Sequence, residues 1–171
     1  MPAKLLGMDA IIERLRESEA ELVGVVSGLT DAQWRGGGGE GRWSGQEIVE
    51  HLILVERGVV TLVRRAMGQP AGERGVVLGD DEVWARLTAV GRLVAAPERV
   101  RPTGQWVDRE EALAEFSRRR AETVAFGLGT EEGVLRGRWI QLPVGELDGA
   151  QALLMLAAHA LRHVAQIREL A

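Results

Sequence analysis

The sequence predicts an all-α protein, a four-helix bundle whose helices run up, down, down and up, with a long crossover between the second and third. Four segments carry apolar residues at three- and four-residue steps, the spacing of one helix face. The connection over residues 68–107 is long enough to carry the chain back to the other end of the bundle, so that the third helix runs in the same direction as the second. Strand signals are weak, and 171 residues fit a single domain, 1–171.

The first two helices are predicted from their apolar faces and from their ends. The first carries its stripe from Met8 to Leu29, and a loop is expected at the glycine run 36–39. The second begins at Ser44, which forms a capping-box pattern with Glu47, and it continues to about Met67. Gly68-Gln69-Pro70 then stops it.

The second half of the chain is read in the same way. The connection contains one short amphipathic piece, roughly Asp81 to Leu93, and the third helix runs from about Asp108 to Leu128. Gly127, Gly129 and Gly133 are expected to break that helix, residues 139–142 could form a short extended piece, and the last helix runs from near Asp148 to Leu170.

Composition excludes several classes of function. With 25 acidic and 21 basic side chains, the net charge of −4 argues against a protein that binds nucleic acid by neutralising phosphates. The absence of cysteine excludes disulfides, thiolate metal sites and cysteine nucleophiles. No apolar run approaches the ~18 residues of a membrane span, and Asp9 comes too early for a secretory signal. A cytoplasmic protein is therefore expected.

The three histidines are the residues most indicative of function. His159 and His163 are four residues apart on the apolar face of the last helix, and His51 lies on the apolar side of the second helix. A buried imidazole costs free energy unless its nitrogens have partners. The three histidines either share one purpose or are unrelated core and surface residues.

Their depth in the predicted bundle favours a shared purpose. His51 lies seven residues after the start of its helix, and His163 seven residues before the end of its own, about 10 Å in each case. If these two helices are antiparallel, the imidazoles meet at one level. In a simple up-down-up-down bundle His163 would be roughly 12 Å too deep. The crossover inferred from the long connection thus also assembles the histidines.

Three neutral imidazoles on rigid helices are typical of a metal site that keeps positions open for water or substrate. Imidazole suits zinc, nickel, copper or iron, and affinity order alone does not choose among them. Zinc is favoured because it is common and matches catalytic sites with three protein ligands and a water.

Other polar residues interrupt the apolar stripes near the same depth. Glu19 follows Ser18 on the first helix, and Arg120 on the third either holds an anionic group of the substrate or extends to solvent. Glu47 is either a helix cap or a residue of the metal site, and Gln166 is one turn from His163 and could orient it.

Two stretches carry a family resemblance. They read WSGQEIVEHL over residues 43–52 and LPVGEL over 142–147, the latter followed by HALRHVAQI over 159–167. Together with LTDAQW over 29–34 they resemble the DinB-like family, also called YfiT-like metal-dependent hydrolases. The resemblance covers both ends of the chain.

The resemblance implies an up-down-down-up bundle, often homodimeric, with a divalent metal on His51, His159 and His163. It also implies a small-molecule substrate, because some relatives are S-transferases or isomerases that use a low-molecular-weight thiol such as bacillithiol or mycothiol.

Two functions follow as hypotheses. In the first, the metal activates a small thiol or water, and Glu47 or Glu19 accepts the proton. In the second, the chain is a metal-binding or stress-response bundle whose site is structural or vestigial.

Overall fold

The computed structural model describes residues 3–37, 39–73, 78–89 and 95–170, and four helices of twenty or more residues dominate that part of the chain. They are α1 (Met8–Ser27), α3 (Gly45–Met67), α5 (Arg109–Leu128) and α7 (Gly149–Arg168). Each agrees with a predicted helix to within a few residues. None of the helices in the described ranges is long and apolar enough to cross a bilayer.

The predicted caps are present and set where the long helices begin. The Ser44 hydroxyl accepts the Glu47 N–H, and the Glu47 carboxylate accepts the Ser44 N–H at 2.7 Å. Asp148 and Gln151 form the same reciprocal pair at the start of α7. These caps satisfy amide donors that the first helical turn leaves without a carbonyl partner.

The structure also contains several short elements. They are α2 (Asp31–Arg35), α6 (Glu132–Arg136), a 3₁₀ turn (Glu98–Val100), and a hairpin of β1 (Trp139–Leu142) and β2 (Gly145–Asp148). Only β1 was suggested by the sequence; it pairs antiparallel with β2, with Trp139 opposite Asp148. Elements of three to five residues are too short to show a hydrophobic period.

One expectation about helix breaks needs correction. Gly127 does not end α5 but lies buried inside it, where a Cβ would come within 3.0 Å of the Ile12 Cδ1 atom and 3.3 Å of the Leu153 Cδ1 atom. Glycine there permits close packing of three helices.

In the long connection, α4 (Asp80–Thr88) occupies the predicted amphipathic piece, whose last part, 90–93, lies outside the described residues.

The apolar core consists of two clusters separated by a buried polar layer, which is formed by Ser18, Glu56 and Arg120. The first half of α1, the second half of α3 and the first half of α7 share one cluster, which includes Leu15, Val59 and Leu153. The other halves share the second cluster, which includes Ile53 and Val164. The start of α3 thus packs near the end of α7. This brings His51 of α3 close to His159 and His163 of α7.

Candidate metal centre

The structure brings the three histidines together. The Nε2 atom of His159 lies 3.3 Å from Nε2 of His51 and 3.1 Å from Nε2 of His163. One ligand atom from each side chain falls within 4.8 Å of the other two. His51 comes from the second turn of α3, and the other two come from successive turns near the end of α7.

Hydrogen bonds fix two of the imidazole rings with Nε2 facing the centre. The Nδ1–H of His51 donates to the Val100 carbonyl oxygen at 2.7 Å, and the Nδ1–H of His163 donates to Oε1 of Gln166 at 2.7 Å. A neutral imidazole that donates through Nδ1 has a lone pair on Nε2. This is the usual support of a metal-ligating histidine, and it includes the predicted Gln166 contact.

The side chains themselves fit a divalent cation. His159 can donate an Nε2–H to one neighbour at most, so at least one of the two short contacts has no hydrogen bond between its two nitrogens. Such a contact is repulsive until a positive centre lies between the nitrogens. A cation shared by all three imidazoles removes that conflict.

Burial keeps these imidazoles neutral, as metal ligation requires. Burial, followed by the neighbouring His51, lowers the pKa of His163 to about 3. Burial, followed by the neighbouring His163 and His51, lowers the pKa of His159 well below its usual value. Burial also lowers the pKa of His51, although its hydrogen bond to Val100 opposes that change. Near neutral pH the three rings are therefore uncharged.

The histidines open onto a cavity of about 960 Å³, a size that suits a small molecule. Trp43 covers one side of the centre, with its ring centroid 4.8 Å from that of His51 and 6.4 Å from that of His163. Val59 and Met155 belong to the apolar walls. The site therefore combines the three polar histidines with a cavity whose walls include apolar side chains.

A buried acid holds the loop that supplies the Val100 carbonyl. The Glu50 carboxylate accepts the backbone N–H groups of Thr103, Gly104 and Gln105, at 2.7, 2.9 and 3.1 Å, and also the Thr103 hydroxyl at 3.0 Å. Glu50 is only 1% exposed, so these four bonds replace its hydration. Glu50 thereby positions the segment that orients His51.

The two predicted acids have different places. Glu47 lines the cavity but also caps α3, and it is not in the group of potential metal ligands found among the described residues. Glu19 is half-buried on α1, which contributes no residue to the cavity lining. Of the two, the structure brings only Glu47 to the chamber.

Arg120 is neither at the metal centre nor at the protein surface. Its side chain is fully buried, and it forms a two-bond ion pair with Glu56 at 2.8 and 3.1 Å. The remaining donors reach the Leu15 carbonyl and the Ser18 hydroxyl, both at 2.7 Å, and the Leu156 carbonyl at 3.3 Å. All five of its N–H groups are thus engaged, and none is left for a substrate.

The sequence analysis missed Trp43, Val100, Glu50 and Glu56 as residues of the site and of the polar layer. Glu56 could have been found, because it falls between Leu52 and Val59 on the apolar face of α3 and so required a buried partner. The Val100 carbonyl has no signature in sequence, since any residue supplies a backbone oxygen.

Fold and site together define a helical bundle with a cluster of three histidines that could hold a metal ion. The chain belongs to the DinB superfamily, whose family model matches residues 14–167. Its structure is similar to that of YfiT from Bacillus subtilis, described as "a probable metal-dependent hydrolase with an unusual four-helix bundle topology". The TM-score is 0.68 at 19% identity, over 99% of this chain and 90% of that chain. No curated protein matches the chain.

Proposed function

We propose that the chain is a metal-dependent enzyme in which His51, His159 and His163 hold one divalent cation. The observation that carries this proposal is the convergence of the three Nε2 atoms at the end of a cavity. Zinc is the favoured metal, with nickel or iron as alternatives, because imidazole suits each of them. The proposed location is the cytoplasm.

When bound, such a cation lowers the pKa of a water or thiol in its open position and polarises a substrate oxygen. The chain's own residues prepare the site for that chemistry. Val100 and Gln166 hold two rings in place, and the apolar walls restrict water. Glu47 lines the chamber, and we assign it the role of proton acceptor in preference to Glu19.

The proposed substrate is a small molecule, and the proposed nucleophile is either water or a low-molecular-weight thiol of the bacillithiol type. The likeness to YfiT, described as a hydrolase, favours water. The family resemblance favours the thiol.

The proposal includes the up-down-down-up arrangement and a homodimer. Support for the arrangement comes from the shared clusters: the first halves of α1 and α7 pack with the second halves of α3 and α5. The homodimer rests on the family resemblance, and light scattering of the purified chain tests it.

Turnover tests the enzymatic part of the proposal. The zinc-loaded chain is assayed for hydrolysis of activated esters and for transfer of bacillithiol to an alkylating electrophile. We expect one of these activities in the parent and its loss in His163→Ala, with helical circular dichroism retained. Arg168→Ala is the control, because Arg168 is exposed near the end of the same helix and, among the described residues, forms only a surface ion pair with Glu21.

Stoichiometric metal without turnover of esters or thiols would contradict an enzymatic role. It would instead support the second candidate, a metal-binding bundle whose site is structural. The observation that favours that candidate concerns Glu47, the proposed proton acceptor. Its carboxylate already accepts the Ser44 N–H in the helix cap.

A further inference from the structure

The charge of the cavity is opposite to that of the protein. The whole chain carries a net charge of −4. The described residues that line the cavity nevertheless include five arginines and one acid, namely Arg57, Arg65, Arg99, Arg101, Arg162 and Glu47. A cleft lined by one sign of charge with apolar walls concentrates ligands of the opposite sign.

Three of these arginines have guanidinium groups available for a ligand. Arg57, Arg65 and Arg99 are exposed, and none has an ion pair or side-chain hydrogen bond with any residue that the structure describes. The arginines outside the cavity on α5 differ, since Arg118 and Arg119 both pair with Glu115. Within the described part of the chain, no acidic side chain therefore neutralises these three guanidinium groups.

Most of the residues that line the cavity on α3 between His51 and Arg65 are apolar. Along α3, Arg57 follows His51 by six residues and Arg65 by fourteen, about 9 Å and 21 Å along the helix axis. Val59 and Leu62 line the intervening wall, and a Cβ on Gly58 would meet no atom within 4 Å. The cavity thus has room for the apolar part of a ligand between the histidines and Arg65.

We propose that the cavity binds an amphiphilic anion, a small molecule whose carboxylate or phosphate contacts Arg57 or Arg65 while its apolar part lies along α3. Guanidinium groups bind both kinds of anion through paired N–H donors. The inference deepens the proposed function by naming its substrate class, and it rests on that proposal for the reacting end of the molecule.

Calorimetric titration of the full chain tests this inference. The probes are octanoate, octyl phosphate and the uncharged octanamide, each titrated into the zinc-loaded chain and into the chain in EDTA. We expect at least one anion to bind about tenfold more tightly than the amide in both conditions. In the double variant Arg57→Gln/Arg65→Gln that anion should bind about tenfold more weakly, while Arg16→Gln on α1 should leave its affinity unchanged.

Equal binding of the amide and the anions, failure of both anions to bind, or full affinity in the double variant would overturn the inference. So would anion binding that vanishes in EDTA, because the anion would then be held by the metal; that result leaves the proposed function standing. Arginine-dependent binding in a chain that takes up no metal would have the opposite meaning, supporting the anion site and contradicting the proposed function.

Discussion

Replacing Arg120 with methionine should destabilise the fold strongly. The Arg120 guanidinium is the partner of the Glu56 carboxylate, which is 2% exposed. Methionine would leave that carboxylate buried without its counter-charge, and breaking a buried pair from one side costs about 3–5 kcal/mol. With a urea dependence of about 2 kcal/mol per molar, the unfolding midpoint should fall by roughly 2 M.

Urea denaturation followed by far-UV circular dichroism measures this effect, and a second variant separates its causes. Glu56→Leu combined with Arg120→Met removes both charges, so it should recover most of the lost free energy of unfolding. The Ser18 hydroxyl already donates to the Leu15 carbonyl at 3.0 Å and therefore keeps a partner.

An Arg120→Met protein of normal stability would refute this reasoning. If that protein kept its stability but lost turnover, the result would support the earlier hypothesis that Arg120 binds the substrate. Stability lost equally in the single and double variants would show that side-chain volume, and not the unpaired charge, dominates.

Three further predictions concern the cavity and the support of the histidines. Gly58→Ala should raise the free energy of unfolding by about 0.5–1 kcal/mol, because the added Cβ meets no atom within 4 Å and alanine favours a helix interior; thermal unfolding measures it. Glu50→Gln should lower the free energy of unfolding by about 1–3 kcal/mol, because the amide NH₂ would face backbone donors. The same variant should bind zinc about tenfold more weakly or worse, as measured by competition with a chelator. In EDTA the chain should lose stability as the pH falls from about 6.5. The pKa of each site histidine lies below its unfolded value, reaching about 3 for His163, so the unfolded chain binds more protons in that window.

Each of these predictions has a matched comparison. Gly24→Ala on α1, where a Cβ also meets no atom within 4 Å, should give a similar gain in stability away from the cavity. Glu17→Gln, exposed in the middle of α1, should leave both stability and zinc affinity unchanged. His163→Gln should flatten the acid dependence of stability; an equally steep dependence in that variant would contradict the assignment of the proton uptake to the histidines.

The long helices could be predicted from the sequence because their information is local and repeated. Ser44 with Glu47, and Asp148 with Gln151, mark two starts within four residues, and the apolar stripes then continue over five or more turns. The proximity of His51 to His159 could be predicted from helix lengths and depth, once the long connection had suggested that the two helices are antiparallel.

What the sequence analysis could not supply depends on contacts between distant segments. Arg120 was assigned to the substrate or the surface because its partner Glu56 is 64 residues away and was not recognised on the apolar face of α3. The Val100 carbonyl reaches His51 from the long connection, where no periodic pattern fixes a position. Glycine at position 127 is ambiguous in sequence, since it can end a helix or allow close packing.

The most direct test of the metal centre is the number of zinc ions held by the purified chain. Equilibrium dialysis against zinc, followed by elemental analysis, should give one ion per chain in the parent and nearly none in His159→Ala, whose imidazole nitrogen contacts both others. A full complement of zinc in that variant, or none in the parent, would contradict the central claim.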